Sequence, residues 1–428
     1  MIAVFEGLSL NQAPPISVVL RFFLTLPVFG LILSLLMILF PTEILTANHP
    51  FSLASIHLLF LGMISMGMIG ALFQMQSVLG GAPIPSPLGN SLIIHSLLVL
   101  GILALASAFI FQFPELFIIA AVLLGSGIVY FAQILLPLLI AKMSHNTLKG
   151  MRFAIFSLLI TAILGVVMAS SYANGSFSDT HAAIKASHYS IGLIGWIAAL
   201  IIYVAFQVIE MFYVTASYSN WCKQNVKRIL GASLLLKVIW LFAALPFAWV
   251  FDVFMALLLV GFVTTTMKRL RSRKRHVSDV SIWFWMMGLG LLMIALLSYL
   301  TSIVSHYEPL EAMSLIAFAL FALSIILGMM GKIVPFLVWF HLNAAGYMET
   351  PIMSNIIPAK RLKMSFWLFG ATASTAILSP FVPLLLIASG LSGIALFSLL
   401  LFNLVTAAKL YRNVLATGTR FSFEPYEK

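Results

Sequence analysis

The chain has 428 residues, of which 62% are apolar and 8% charged, with a formal net charge of +11. A soluble domain carries about a quarter charged residues, so too little charge is present to cover a water-facing surface. The composition points to an all-α membrane protein whose main partner is the lipid bilayer. A single cysteine, Cys222, excludes an internal disulfide and any cysteine-based metal or iron–sulfur site.

The opening segment MIAVFEGLSLNQAPP has no charged stretch leading into a cleavable apolar core, so no signal peptide is expected. A spanning helix needs about 20 apolar residues. The sequence offers twelve such runs, at 17–39, 52–78, 91–111, 116–140, 153–172, 188–214, 229–247, 249–267, 282–303, 312–340, 364–383 and 385–407. Between the seventh and eighth stand only Pro246 and the polar Asp252, and one broken helix there would leave eleven. The remainder is short loops, so residues 1–428 form a single transmembrane domain.

Basic residues collect in alternate loops. Lys142, Lys149 and Arg152 follow helix four, and Lys223, Lys227 and Arg228 follow helix six. The run KRLRSRKR, residues 268–275, follows helix eight, and Lys360, Arg361 and Lys363 follow helix ten. The opposite loops hold Glu43, Glu115, Asp179, Glu308 and Glu311, with Lys185 the one basic exception. Lys and Arg accumulate on the cytoplasmic side of a membrane. The alternation therefore predicts a multi-pass membrane protein with both termini cytoplasmic. The same rule reads the basic run as a topology determinant, and no nucleic-acid partner is expected.

Helices two, six and ten contain GMIGALFQMQSVLGG, IIYVAFQVIEMFYV and LGMMGKIVPFLVWF. Setting Gln74, Gln207 and Lys332 in register aligns Phe73 with Phe206 and Gly62 with Gly195. It also aligns Glu210 with Pro335. The spacings of 133 and 125 residues are about four helices each. They predict three four-helix pseudo-repeats, at about 1–142, 143–267 and 268–428, around an axis along the membrane normal. One polar residue then sits at a common depth in each of the three helices. Ionisable groups at depth usually pair or face the bundle interior, so Glu210 and Lys332 are expected to pair or to meet through water. The plainer expectation is that each reaches the nearby interface by itself.

Five histidines gather at the other ends of these helices. His49 and His57 flank the start of helix two, His181 and His188 flank the start of helix six, and His306 precedes helix ten. Imidazole is the commonest nitrogen ligand for haem iron, copper and zinc. Two histidines from different helices could grip one haem, which makes His57, His188 and His306 candidate cofactor ligands. His49 and His181 are candidate metal ligands. The alternative is a hydrogen bond to a neighbouring helix for His57 and His188, and an ordinary loop position for His49, His181 and His306. His95, His145, His276 and His341 lie on the other side and are assigned nothing. No Glu-x-x-His, His-Glu-x-x-His or Walker-type pattern occurs, so hydrolase and nucleotide readings have no support.

Three four-helix arcs with both ends inside, and histidines at the outer ends of helices two, six and ten, resemble the haem–copper oxidase subunit I fold. The motifs HLLFLGMISMGMIGALFQ, SHYSIGLIGWIAALIIYVAFQVIEMFYV and GKIVPFLVWFH resemble the divergent group of such proteins near the NnrS family. The resemblance covers most of the chain. It implies haem b, with copper as a further possibility, and a role in redox chemistry, nitric-oxide stress or metal handling. By position His57 matches the low-spin haem ligand of helix two, and His188 lies in the helix that supplies a copper ligand. His306 is the nearest counterpart of the helix-ten ligand. Oxidases also carry a histidine pair in helix seven and a His-x-His in helix ten. Here 229–250 has no histidine, and helix ten has only His306 before it and His341 at its far end. An oxygen-reducing haem–copper centre is therefore not expected. Two other readings stand beside this one. One is a transporter or channel with its path near Gln74, Gln207, Glu210 and Lys332. The other is a structural or sensory membrane protein without a cofactor.

Overall fold

The computed structural model describes residues 12–141, 146–274 and 279–420. Lys142, His145, Arg275 and His276 lie outside the described residues. The described residues are mostly helical, with no strand among them. The long helices are α1 (Ile16–Leu39), α2 (Pro50–Gly80), α3 (Pro87–Phe111), α4 (Pro114–Ala141), α5 (Asn146–Asn174) and α6 (His181–Tyr213). They continue as α7 (Asn220–Phe242), α8 (Trp249–Arg271), α9 (Val280–Ser305), α10 (Glu308–Ala344), α11 (Ala359–Leu378) and α12 (Leu385–Thr417).

Ten of these are long and apolar enough to cross a membrane; α7 and α11 fall short. The reason is composition: α7 carries Lys223, Lys227, Arg228 and Lys237, and α11 opens on Lys360, Arg361 and Lys363. Each expected apolar run lies largely on one of the helices, with shifted ends. The expected 229–247 becomes Asn220–Phe242 because Ser219 caps α7 early, accepting the Cys222 N–H at 3.3 Å. Between α7 and α8 the chain turns through residues 243–248, with Ala244 and Phe247 at φ 51° and 67°. A single broken helix is thereby replaced by a hairpin.

Neighbours in sequence pack as neighbours in space, and α1 closes the set against α12. Three helices lie deepest. In the most apolar stretch of each, 67% of α2, 72% of α6 and 78% of α10 is buried, against 61% for α9 and 28–44% for the other spans. The three also touch one another. Trp196 of α6 donates to Ser65 of α2 at 3.0 Å, and Tyr213 of α6 approaches the Met329 sulfur of α10 at 3.9 Å. A Cβ placed on Gly67 of α2 would stand 2.9 Å from Ile326 of α10.

Both α2 and α6 are interrupted by an eight-residue π-helical stretch, Leu58–Ser65 and Ile191–Ala198. The two stretches stand 133 residues apart, the spacing of Gln74 and Gln207. The helix α10 has no such stretch. A π turn widens the helix and re-aims the side chains beside it, and such turns gather at functional sites.

Candidate functional site

His57 and His188 each stand at the mouth of a π stretch, one and three residues before it. Their rings meet between α2 and α6, with centroids 6.5 Å apart and planes inclined by 38°. His57 Nδ1 lies 2.7 Å from the Leu53 carbonyl, and His188 Nδ1 lies 2.9 Å from the Thr161 carbonyl of α5. A carbonyl can only accept, so each Nδ1 carries the proton and each neutral ring presents Nε2 as a lone pair. Neither Nε2 has a hydrogen-bond partner among the described residues. His341 differs in kind: its Nδ1 meets the Leu337 carbonyl and its Nε2 meets the Pro14 carbonyl, so both nitrogens are used.

The walls of this pair are aromatic and small. Phe109 stacks on His57 at 5.4 Å, and Phe117 and Tyr172 continue the wall. On the other side Gly165 makes room for His188, since a Cβ there would lie 3.1 Å from the ring. A backbone carbonyl on one imidazole nitrogen and a free lone pair on the other is the outer-shell arrangement of metal-ligating histidine. An ion held between two such nitrogens at about 2.0–2.1 Å from each sets the ring centres roughly 6 Å apart. The donor set thus suits one bare ion such as copper, whereas a haem would also need room for its ring beside the imidazoles. One cavity lies among α9–α12 around Phe284, Leu327, Ser365 and Leu396, and another among α2–α5 around Leu61, Ser65, Leu98 and Leu158. Neither touches the imidazoles, and a bare ion needs no cavity beyond its ligands.

The other three histidines do not join the pair. His49 caps α2, where its Nδ1 accepts the Phe51 N–H at 3.3 Å. His181 opens α6 and packs edge-on against Phe177 at 4.7 Å. His306 ends α9 in a left-handed conformation, φ 52°, and is exposed. Among the described residues no three of His, Cys, Asp and Glu could hold one metal ion. The expected convergence of five histidines narrows to two: His49 is held as a helix cap, His181 packs on Phe177 and Tyr172, and His306 caps the end of α9.

At the basic-loop end the expected Glu210–Lys332 pair does not form. Glu210 binds Lys223 at 2.7 Å and accepts the Tyr218 N–H at 2.6 Å. Lys332 binds Asp279, the N-cap of α9, at 2.5 Å and lies over the Tyr213 ring at 4.9 Å. The helix faces decide this. Gly328, one turn before Lys332, admits Phe284 so closely that a Cβ would stand 2.5 Å from it. That contact turns the Lys332 face of α10 toward α9. Glu210 is captured first by its own following turn. Gln74 is buried with its Oε1 unpartnered, and Gln207 is half-buried.

One cluster escaped the sequence reading. Lys237 of α7, 4% exposed, binds Asp252 of α8 at 2.6 Å and donates to Ser190 of α6 at 2.9 Å. Tyr299 of α9 donates to the second Asp252 oxygen at 2.8 Å. The signal was present as a lysine inside an apolar run and an aspartate 15 residues later. Its meaning required the hairpin, which brings the two together.

No known family model matches the sequence, and no curated protein is significantly similar to it. The class that fold and composition define is an all-helical protein of multi-pass membrane type.

Proposed function

We propose that the protein is a multi-pass inner-membrane protein that holds a redox-active metal through His57 and His188, copper by the fit of the site, with haem b iron as what the family resemblance implies. The observation that carries this reading is the pair of Nδ1–carbonyl hydrogen bonds, which leaves two free Nε2 lone pairs on facing helices. Bound there, the metal would supply one-electron chemistry or bind a small gas molecule. The chain's own part is to fix both tautomers, wall the pair with Phe109 and Tyr172, and bring α2 and α6 together. The role follows as redox chemistry, nitric-oxide stress or metal handling. Oxygen reduction at a haem–copper centre is not part of the proposal, since α7 has no histidine and His306 stands apart in an exposed turn.

The larger plan belongs to the same proposal: about twelve transmembrane helices in three four-helix pseudo-repeats, arranged like haem–copper oxidase subunit I. The deep burial of α2, α6 and α10 and the matched π stretches support it. A transporter is the second reading, favoured by the unpartnered, buried Gln74 in the central group of helices.

A visible spectrum and a copper assay on the purified protein test the first reading. A Soret band, or one copper per chain, is expected, and His57→Ala or His188→Ala should abolish it while His341→Ala leaves it. A colourless, copper-free folded protein, or a band that survives both substitutions, would remove it.

A further inference from the structure

The Lys237 cluster is neither at the histidine pair nor on the path of the second reading. It lies one to two turns from the α7–α8 turn, at the end of the bundle away from the basic loops. Four helices contribute: Ser190 from α6, Lys237 from α7, Asp252 from α8 and Tyr299 from α9. The Lys237 and Asp252 side chains are 5% and 11% exposed. A pair so far from water stabilises little by itself, because desolvation consumes most of the attraction. Ionisable groups kept inside a membrane protein usually mark an ion or proton path.

Both oxygens of Asp252 are engaged, Oδ1 by the Lys237 ammonium and Oδ2 by the Tyr299 hydroxyl. A proton that arrives on the carboxylate must displace one of these donors. It either frees Lys237 or turns Tyr299 from donor to acceptor. Lys237 in turn holds Ser190, the residue immediately before the α6 π stretch. Proton occupancy of Asp252 is thereby tied to the conformation of that stretch. The other ionisable groups facing the cluster are Tyr189 of α6, whose ring lies 5.8 Å from Lys237 Nζ, and Glu311 in the first turn of α10. Glu311 and Tyr189 are both exposed.

We propose that Asp252, Lys237 and Tyr299 form a proton-binding site that exchanges with the aqueous phase at this end of the bundle and acts on the π stretch of α6 through Ser190. The chemistry is one step: a proton from water adds to the Asp252 carboxylate, giving a carboxylic acid, and leaves by the same route. No metal enters the site.

Infrared difference spectra of metal-free protein in lipid, taken between acidic and alkaline buffer, test it. A carboxyl band that titrates while the protein stays folded is expected, and Asp252→Asn should remove it. Lys237→Met should change the band and its response to buffer, because the carboxylate loses its cation. Amide exchange along 191–198 should change with pH in the native chain and not in Asp252→Asn. Should Asp252→Asn fail to fold, Tyr299→Phe keeps the ion pair and must shift the band. A spectrum without a titrating carboxyl that responds to these substitutions overturns the proposal, as does exchange along 191–198 that ignores pH. Because the protein is metal-free, the loss of the histidine-site reading would leave this result untouched.

Discussion

Lys332 answers to Asp279, and a double-mutant cycle can measure it. The two side chains are 26% and 29% exposed, so water screens part of the attraction. A coupling of about 1 kcal/mol is expected between Lys332→Leu and Asp279→Leu, as for groups in direct contact. The same cycle on Lys332 and Glu210 should give no coupling. Denaturation in detergent would read both. Burial by itself raises the Asp279 pKa, but the Lys332 ammonium and the Ser281 donors outweigh it and hold the carboxyl below its usual 3.8. A depressed folded pKa gives stability that is present above the ordinary value and lost as pH falls through the folded one. The native chain should therefore exceed Asp279→Asn in melting temperature near neutrality. That advantage should vanish only in strong acid.

At the scale of the helices, close approach is set by single glycines. A Cβ on Gly150 of α5 would overlap the Tyr203 ring of α6, whose hydroxyl accepts the Lys227 N–H at 2.9 Å. Gly150→Ala should cost about 1–3 kcal/mol, the range for overpacking a tight contact. Gly261 of α8 has nothing within 4 Å, so Gly261→Ala should be neutral or stabilising by up to about 1 kcal/mol through helix propensity. Thermal melts of the two variants would separate these outcomes. The pairing of α5 with α6 also positions the candidate site, because Thr161 and Gly165 of α5 receive His188. His57 and His188 could be singled out from the sequence by their place at the starts of helices two and six. Their free Nε2 atoms could not, since that depends on which carbonyl each ring meets.

For the whole molecule the basic loops make a topological prediction that one native cysteine can check. Cys222 lies in the first turn of α7, beside Lys223, and is partly exposed. A membrane-impermeant maleimide should reach it only from the cytoplasmic side. In a Cys222→Ser background, Glu115→Cys in the opposite set of loops should label only from outside. Labelling of both from one side would refute the alternating arrangement.

The sequence by itself determined the helical class, nearly every helix and the special standing of α2, α6 and α10. Long apolar runs and the placement of Lys and Arg are local, additive properties that survive any detail of packing. The shared register of Gln74 and Gln207 rests on the same kind of local signal, and the two π stretches stand at the same spacing. Only the tertiary structure decided which charges meet. Glu210 and Lys332 stand at nearby registers, but the Gly328–Phe284 approach turns Lys332 to α9 and the following turn takes Glu210. Lys237 and Asp252 looked unrelated until the turn at 243–248 folded α8 back on α7. A side chain's partner depends on helix rotation and on the contacts of neighbouring helices. Those are set by packing across the bundle, which no local stretch of sequence encodes.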